Sequence, residues 1–400
     1  MSDTRAGPLT GVKVVELGTL IAGPFCARIL AEFGAEVIKI ESPEGGDQIR
    51  QWRKMYQDTS LWWYVQARNK KSVRVNLRAA EGQEIVRRLA RDADIVIENF
   101  RPGALEKWNI GWPQLSALNP RLIMVRLSGF GQDGPYRDRP GFGVVAEAMG
   151  GMRYVTGYTD RPPVRLGISI GDSIAALHGV IGAMMALHHR NTNGGKGQFV
   201  DVALYESVFN IMESLIPEFD VLGFKRERAG NELPGITPSN TYPTRDGKFV
   251  IIGANGDSIF KRLMTEIGRA DLADDPALAT NAGRAPRARE LDEAIEQWTR
   301  EHDLAALLDA LERAEVPSGR VYDAEDIVND AHYAARKMIE QWKLPDGKSM
   351  KIPAPVPKLS ETPGRTRWIG PKLGEHTGEV LSALGYGDAE QQRLREQGVI

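Results

Sequence analysis

Short apolar runs alternate with amphipathic stretches through the first third of this chain, and that alternation restricts its fold more than any other feature. Residues 12–41 read VKVVEL, a Gly-Pro turn, PFCARILAEFG and then AEVIKIE. Pro24 suits the first turn of a helix and Gly34 its C-terminal cap, so the segment is predicted as strand, helix, strand. The pattern recurs as SVRVNL, a helix over 79–93, DIVIENF, and a further helix before RLIMVRLSGFG. Repeated units of this kind imply an α/β fold, with a parallel sheet and helices on its faces. Ligands of such sheets bind beyond the carboxyl ends of the strands. The loops to inspect are therefore 18–23, 42–47, 99–103 and 129–135.

Further along, GISIGDSIAALHGVIGAMMAL predicts a long apolar helix, and GKGQFVDVALYESVFNIM another strand and helix. Residues 223–238 are irregular and rich in charge and proline, which marks a linker. Beyond it, TYPTRDGKFVIIGANG predicts a hairpin about Asp246 and Gly247, with short amphipathic helices to about Ala314. A second proline-rich passage, KIPAPVPKLSETPG, leads to a helical tail. Four hundred residues accommodate two or three such domains.

A formal net charge of −2 with interspersed signs gives no nucleic-acid footprint. The start, MSDTRAGPLTG, has no apolar leader, and no unbroken apolar run reaches the roughly 18 residues of a membrane span. A single cysteine, Cys26, in apolar surroundings predicts a packed side chain in a reducing compartment. These features lead us to expect a cytoplasmic protein with no membrane partner. The six histidines show no metal-ligand spacing: His188 and His189 are adjacent, and His178 lies about 240° around a helix from Asp172. No metal site is expected. The first turn, LGTLIAGP, lacks the GxGxxG spacing of a dinucleotide site.

Two features carry chemistry. Asp172 stands alone at the start of the long helix, with no cation or histidine within a turn. It is either a helix N-cap or a carboxylate nucleophile awaiting an acyl group. Basic residues Arg68, Lys70, Lys71, Arg74 and Arg78, then Arg101 and Lys107, gather near the expected carboxyl edge of the sheet. They form either a solvated face or the seat of a polyphosphorylated ligand, with LWWYVQARNKK supplying flat apolar surface for an adenine.

GVKVVELGTLIAGPFCARILAEFGAEVIKIE, RNKKSVRVNL, DIVIENFRPGALEKWNIG, LSGFGQDGPY, GDSIAALHGVIGAMMAL, GKGQFVDVAL and LGEHTGEVL resemble, in this order, the class III CoA-transferases. This is the family of the formyl-CoA, carnitine and succinate-glutarate CoA-transferases. The resemblance implies a Rossmann-like large domain with a smaller α+β domain, in an interlocked homodimer. It implies a large domain over 1–222, a small domain with linkers over 223–330, and a segment over 331–400 that returns to the large domain. Asp172 falls at the family's nucleophile position. Coenzyme A and acyl-CoA are implied as substrates with a small carboxylic acid, succinyl-CoA being the expected donor; GYTDRPPVRLGISIGD is similar to a stretch of the succinate-glutarate enzymes.

The CoA-binding positions implied are Val75, Asn76, Leu77, Arg78, Asn99, Phe100, Arg101 and Lys107, with Ile21 and Ala22 at the thioester end and Phe142 beside the CoA. Ile21 replaces a glutamine, Ser42 a basic residue and Pro140 a lysine of formyl-CoA transferase, so formyl-CoA specificity is not expected. The related α-methylacyl-CoA racemases need a histidine where this chain has Phe142, and a phenyl ring moves no proton. Racemisation is thus one alternative, and a catalytically silent CoA-binding module another. For the acceptor carboxylate, Arg50, Arg153, Arg165 and Asn240 are all candidates, unranked by sequence.

Overall fold

The computed structural model describes residues 6–400. Its centre is a six-stranded, wholly parallel sheet of β1 (Lys13–Glu16), β2 (Glu36–Glu41), β3 (Lys70–Arg74), β4 (Ile95–Glu98), β5 (Ile123–Ser128) and β6 (Phe199–Ala203). The spatial order is β3-β2-β1-β4-β5-β6. Strand order reverses at β1, so a crevice opens between the loops after β1 and β4.

Strand alternation divides the apolar residues between two cores. Val15, Ile40, Val73 and Val96 face a cluster with Ile85 and Leu89 of α2 (Ala80–Asp92) and with Val380, Leu381 and Leu394 near the C-terminus. Val14, Val37, Ile97 and Val125 face Cys26, Ala27 and Leu30 of α1 (Ala22–Glu32). Each fully buried aliphatic chain contributes about 1.5–3 kcal/mol. As expected, Pro24 lies in the first turn of α1, and Gly34 follows its end with φ +109°.

The same core takes one face of the long helix α4 (Ile170–Thr192) and is joined by α3 (Gly143–Met149). A side chain on Gly179 would lie 3.2 Å from Cys26 Sγ and 3.3 Å from Val125 Cγ1, so a bare backbone lets α4 settle on α1 and β5. Contrary to the sequence expectation, α4 is long and apolar enough to cross a membrane by length and composition. Its Ala175, Ala176, Ala183 and Ala186 are buried in the core, as in a core helix. The opposite face leaves Leu177, Ile181 and Met185 exposed, a stripe that a solvent-facing helix rarely carries.

Contacts divide the chain into two compact units. One comprises the described residues up to Arg153, then Leu166–Leu215 and Arg336–Ile400, and holds the parallel sheet. The other is Tyr154–Arg165 with Ile216–Ala335. Beside the sequence-based divisions at 222/223 and 330/331, the second unit also takes in 154–165, 216–222 and 331–335. Its sheet is antiparallel, with Ser318–Arg320, Phe249–Gly253 and Ser239–Pro243 in that order. The predicted turn at Asp246 and Gly247 joins the last two, Gly247 having φ +73°. Helices Asp257–Glu266, Ala288–Arg300 and Leu304–Arg313 complete this unit's core. The hairpin Ile339–Lys343 with Ser349–Pro353, in the first unit, was not anticipated. Its alternation is weak because its residues are mostly half-buried or exposed.

Candidate active site

A cleft of about 330 Å³ opens at the reversal point of the sheet. Its walls are Leu17 and Thr19 after β1, Ser42 to Asp47 after β2, Val75 to Arg78 after β3, and Phe100 and Trp108 after β4. Asn76 donates its backbone N–H to Val399 O at 2.7 Å, and its Oδ1 accepts from Arg78 N at 3.0 Å, which fixes the β3 loop against the C-terminus. Phe100 and Trp108 meet edge to face, with ring centroids 5.4 Å apart. Arg78 is exposed at the rim. Among the sequence-predicted residues, Val75, Asn76, Leu77, Arg78 and Phe100 are thus brought together in one cleft.

The others fall elsewhere. Arg101 and Lys107 are exposed and do not line the cleft. Ile21 and Ala22 are buried at the start of α1, and the Ile21 carbonyl accepts from Gln66 Nε2 at 3.3 Å. Asn99 commits its amide to the neighbouring turn: Oδ1 accepts from Thr19 N and Nδ2 donates to Thr19 O, both at 2.8 Å. Gly18 and Gly23 permit this approach, since a side chain on either would stand 3.1–3.4 Å from Asn99 Oδ1.

A buried ion network holds the same turn from below. Lys39 Nζ lies 2.8 Å from both Glu16 Oε1 and Asp47 Oδ2 and donates to Gly18 O at 2.9 Å. Lys70 Nζ sits 2.8 Å from Glu16 Oε2 and donates to Pro24 O at 2.7 Å. Asp47 Oδ1 accepts from Leu20 N at 2.9 Å, with Leu20 in the left-handed region at φ +64°. Two ammoniums and two carboxylates balance, as burial requires. Burial alone would lower the Lys39 pKa, but Asp47 and Glu16 raise it. For Lys70 burial prevails over the attraction of Glu16, with Lys39 adding repulsion, and its pKa falls to about 8. Sequence reasoning missed Glu16, Lys39 and Asp47. The available signal was a charge inside each of the runs VKVVEL and VIKIE, where strands buried on both faces rarely carry one.

The basic set therefore does not act as one. Arg68 is buried on Glu32 at 2.6 Å, Lys70 on Glu16, and Lys71 bridges Glu36 and Glu379. Neither the solvated-face nor the ligand-seat reading holds for these three: they brace the sheet. Arg50 is likewise committed, bonding Glu41 at 2.7 and 2.8 Å with its guanidinium 3.6 Å from the Trp63 ring centroid. Burial alone would raise Glu41, but Arg50 and Lys39 hold it below the usual carboxylate range. Cys26 is packed, and burial pushes its thiol up to about 12.

Asp172 is not the N-cap of α4. Ser169 occupies that position, and Asp172 lies in the first helical turn, half-buried. The positive end of the helix still favours its charge there. A Cβ on Gly143 would stand 2.2 Å from Asp172 Oδ2, so the carboxylate rests on bare backbone at the start of α3. Phe142, just before it, is 64% exposed. Among the described residues, no group of His, Cys, Asp and Glu is arranged to hold a metal.

The model of CoA-transferase family III matches residues 9–377. The chain belongs to that family. It is a class III CoA-transferase, and its substrates include a CoA thioester. It is 50% identical to the succinyl-CoA:D-citramalate CoA-transferase of Chloroflexus aurantiacus, over 98% of each chain. It is 41% identical to the succinyl-CoA:L-malate CoA-transferase beta subunit of the same organism, over 99% of each. A solved structure, a CAIB/BAIF family protein from Brucella suis, matches with a TM-score of 0.83 and 34% identity, over 95% of this CoA-transferase and 100% of that chain.

Proposed function

We propose that this CoA-transferase moves CoA from succinyl-CoA to a small dicarboxylic acid, with Asp172 as the nucleophile. The observation that carries the reading is the Asp172 carboxylate in the first turn of α4, lying against the bare backbone of Gly143. The relatives named for citramalate and malate support both the donor and the acceptor class.

In this mechanism an Asp172 oxygen attacks the thioester carbonyl of succinyl-CoA, the C–S bond breaks, and CoA leaves as thiolate with the bonding pair. The thiolate then attacks the aspartyl carbonyl of the mixed anhydride and expels succinate, leaving an aspartyl-CoA thioester. The acceptor carboxylate attacks that carbonyl and releases the thiolate, which takes the acceptor's acyl group and restores Asp172. No net proton is transferred, and a thioester is exchanged for a thioester, so orientation and exclusion of water are the protein's main tasks. The adenine end of CoA is assigned to the Phe100 and Trp108 wall, with Arg78 at the rim for phosphate. Asn99 and the buried ions act by fixing the turn that ends at Ile21 and Ala22.

A homodimer is part of the reading. Leu177, Ile181 and Met185 form an exposed apolar stripe on the helix that carries the nucleophile, and a second copy is the occupant proposed for it. The packed, protonated thiol of Cys26 suits a reducing cytoplasm. Racemisation lacks support, because Phe142 stands beside Gly143 without a proton to give. Hydroxylamine trapping with mass spectrometry tests the proposal: succinyl-CoA should yield an adduct at Asp172. Full activity in Asp172→Ala would refute it.

A further inference from the structure

Two carboxylates, not one, lie against the start of α4. One turn along α3 from Gly143, the helix presents Glu147, only 1% exposed. Its Cγ stands 3.2 Å from where a Cβ on Gly171 would be, next to Asp172. Glu147 Oε2 accepts from Arg153 Nε at 3.2 Å and from Nη2 at 3.1 Å, while Oε1 has no hydrogen-bond partner among the described residues. A carboxylate buried this deeply is unfavourable without a cation on it, so the two residues act as a unit: Arg153 neutralises Glu147, and Glu147 fixes the guanidinium. The Arg153 side chain remains 22% exposed, and of its five N–H groups only two are spent on Glu147.

Two of the other acceptor-anchor candidates, Arg50 and Asn240, are committed to other side chains. Arg50 is buried on Glu41 and Trp63. Asn240 and Arg165 belong to the second compact unit, where Asn240 donates to Asp292 at 3.0 Å. Arg153 alone among the four is tied to the helix on which Asp172 rests. We propose that Arg153, aimed by Glu147, binds the remote carboxylate of dicarboxylic substrates while the acyl or carboxylate group at their other end reacts at Asp172. The proposal rests on Asp172 being the nucleophile. In a double-displacement reaction donor acyl group and acceptor acid meet the same carboxylate in turn. One cation therefore serves the succinyl group in the first half-reaction and the acceptor in the second.

The test compares succinyl-CoA with butyryl-CoA, which has the same chain length and lacks the remote carboxylate. For each donor, formation of the Asp172 adduct and kcat/KM are measured in the intact protein and in Arg153→Ala, Arg153→Lys and Glu147→Gln. Arg153→Ala should lower kcat/KM for succinyl-CoA by roughly 100-fold and that for butyryl-CoA by no more than about threefold. Arg153→Lys should recover part of the preference. Glu147→Gln should raise KM for succinyl-CoA more than it lowers kcat. If Arg153→Ala fails to fold, the lysine and Glu147→Gln ratios decide. A succinyl-to-butyryl ratio unchanged in the variants, with the Asp172 adduct present in the parent protein, overturns the role of Arg153 alone. No adduct from either donor in the parent protein overturns the Asp172 reading and this one with it.

Discussion

The turn after β1 is held by side chains that reach it from distant strands, whereas Asp172 is seated where side chains are missing. Around the turn, Lys39, Lys70, Asp47 and Asn99 bond Gly18 O, Pro24 O, Leu20 N and both backbone groups of Thr19. Around Asp172, Gly143 leaves room for the carboxylate, and Gly171 leaves room for Glu147. The difference separates two kinds of precision. The β1 turn is fixed by charges that must all be present, so its geometry depends on a stability-determining network. The Asp172 carboxylate lies close against the Gly143 backbone, so its geometry can be disturbed by one added methyl group without touching that network.

That contrast is open to direct attack. The largest effect expected is from Asp172→Ala, which should reduce kcat by roughly 10⁴-fold or more, as loss of a covalent nucleophile does, with an unchanged melting curve. Asp47→Ala should instead destabilise the fold by about 3–5 kcal/mol, because Lys39 is left buried with one partner fewer. Denaturant titration measures this, and a loss of activity with full stability would dissolve the distinction between the two regions. Gly143→Ala should displace the Asp172 carboxylate and cost roughly 100-fold in kcat. Circular dichroism and melting should stay near those of the parent protein, and a large loss of stability would again break the contrast. Phe100→Ala should raise KM for the CoA thioester by about tenfold through loss of an aromatic wall worth roughly 1–2 kcal/mol, leaving kcat nearly intact in steady-state assays.

A further effect concerns pH. The folded pKa of Lys70, about 8, lies below its value of 10.5 when exposed. Between these values the unfolded chain binds the extra proton, so this residue makes stability rise with pH, by at most about 1.4 kcal/mol per pH unit. Below pH 8 it contributes no slope. Stability of the parent protein relative to Lys70→Met should therefore climb from pH 8 to 10.5, and a flat difference would show that the network keeps Lys70 fully charged.

Much of the architecture was legible because it rests on local periodicity. All six parallel strands lie where apolar runs predicted them, with β3 starting at Lys70, two residues before SVRVNL. Of the four loops singled out from the sequence, those after β1, β2 and β4 meet in one cleft, because such a sheet delivers every strand's carboxyl end to one edge, whereas 129–135, after β5, does not line it. Side-chain roles were less legible. Arg68, Lys70 and Lys71 looked like an outward basic stripe, but their counter-charges, Glu32, Glu16, Glu36 and Glu379, are dozens to hundreds of residues away. No window along the chain reports such a pair. Asn99 likewise looked like a ligand residue until its amide was found on Thr19.

Alone, the sequence determined the parallel α/β sheet, the long helix with Asp172 near its start, and the motifs that place the chain among class III CoA-transferases, since each is written in residues near one another. Tertiary structure decided which charges are buried, that Gly143 seats Asp172, and that Glu147 holds Arg153. Those outcomes depend on which distant segments share a neighbourhood without water, where an ion must find its partner and a missing Cβ becomes space.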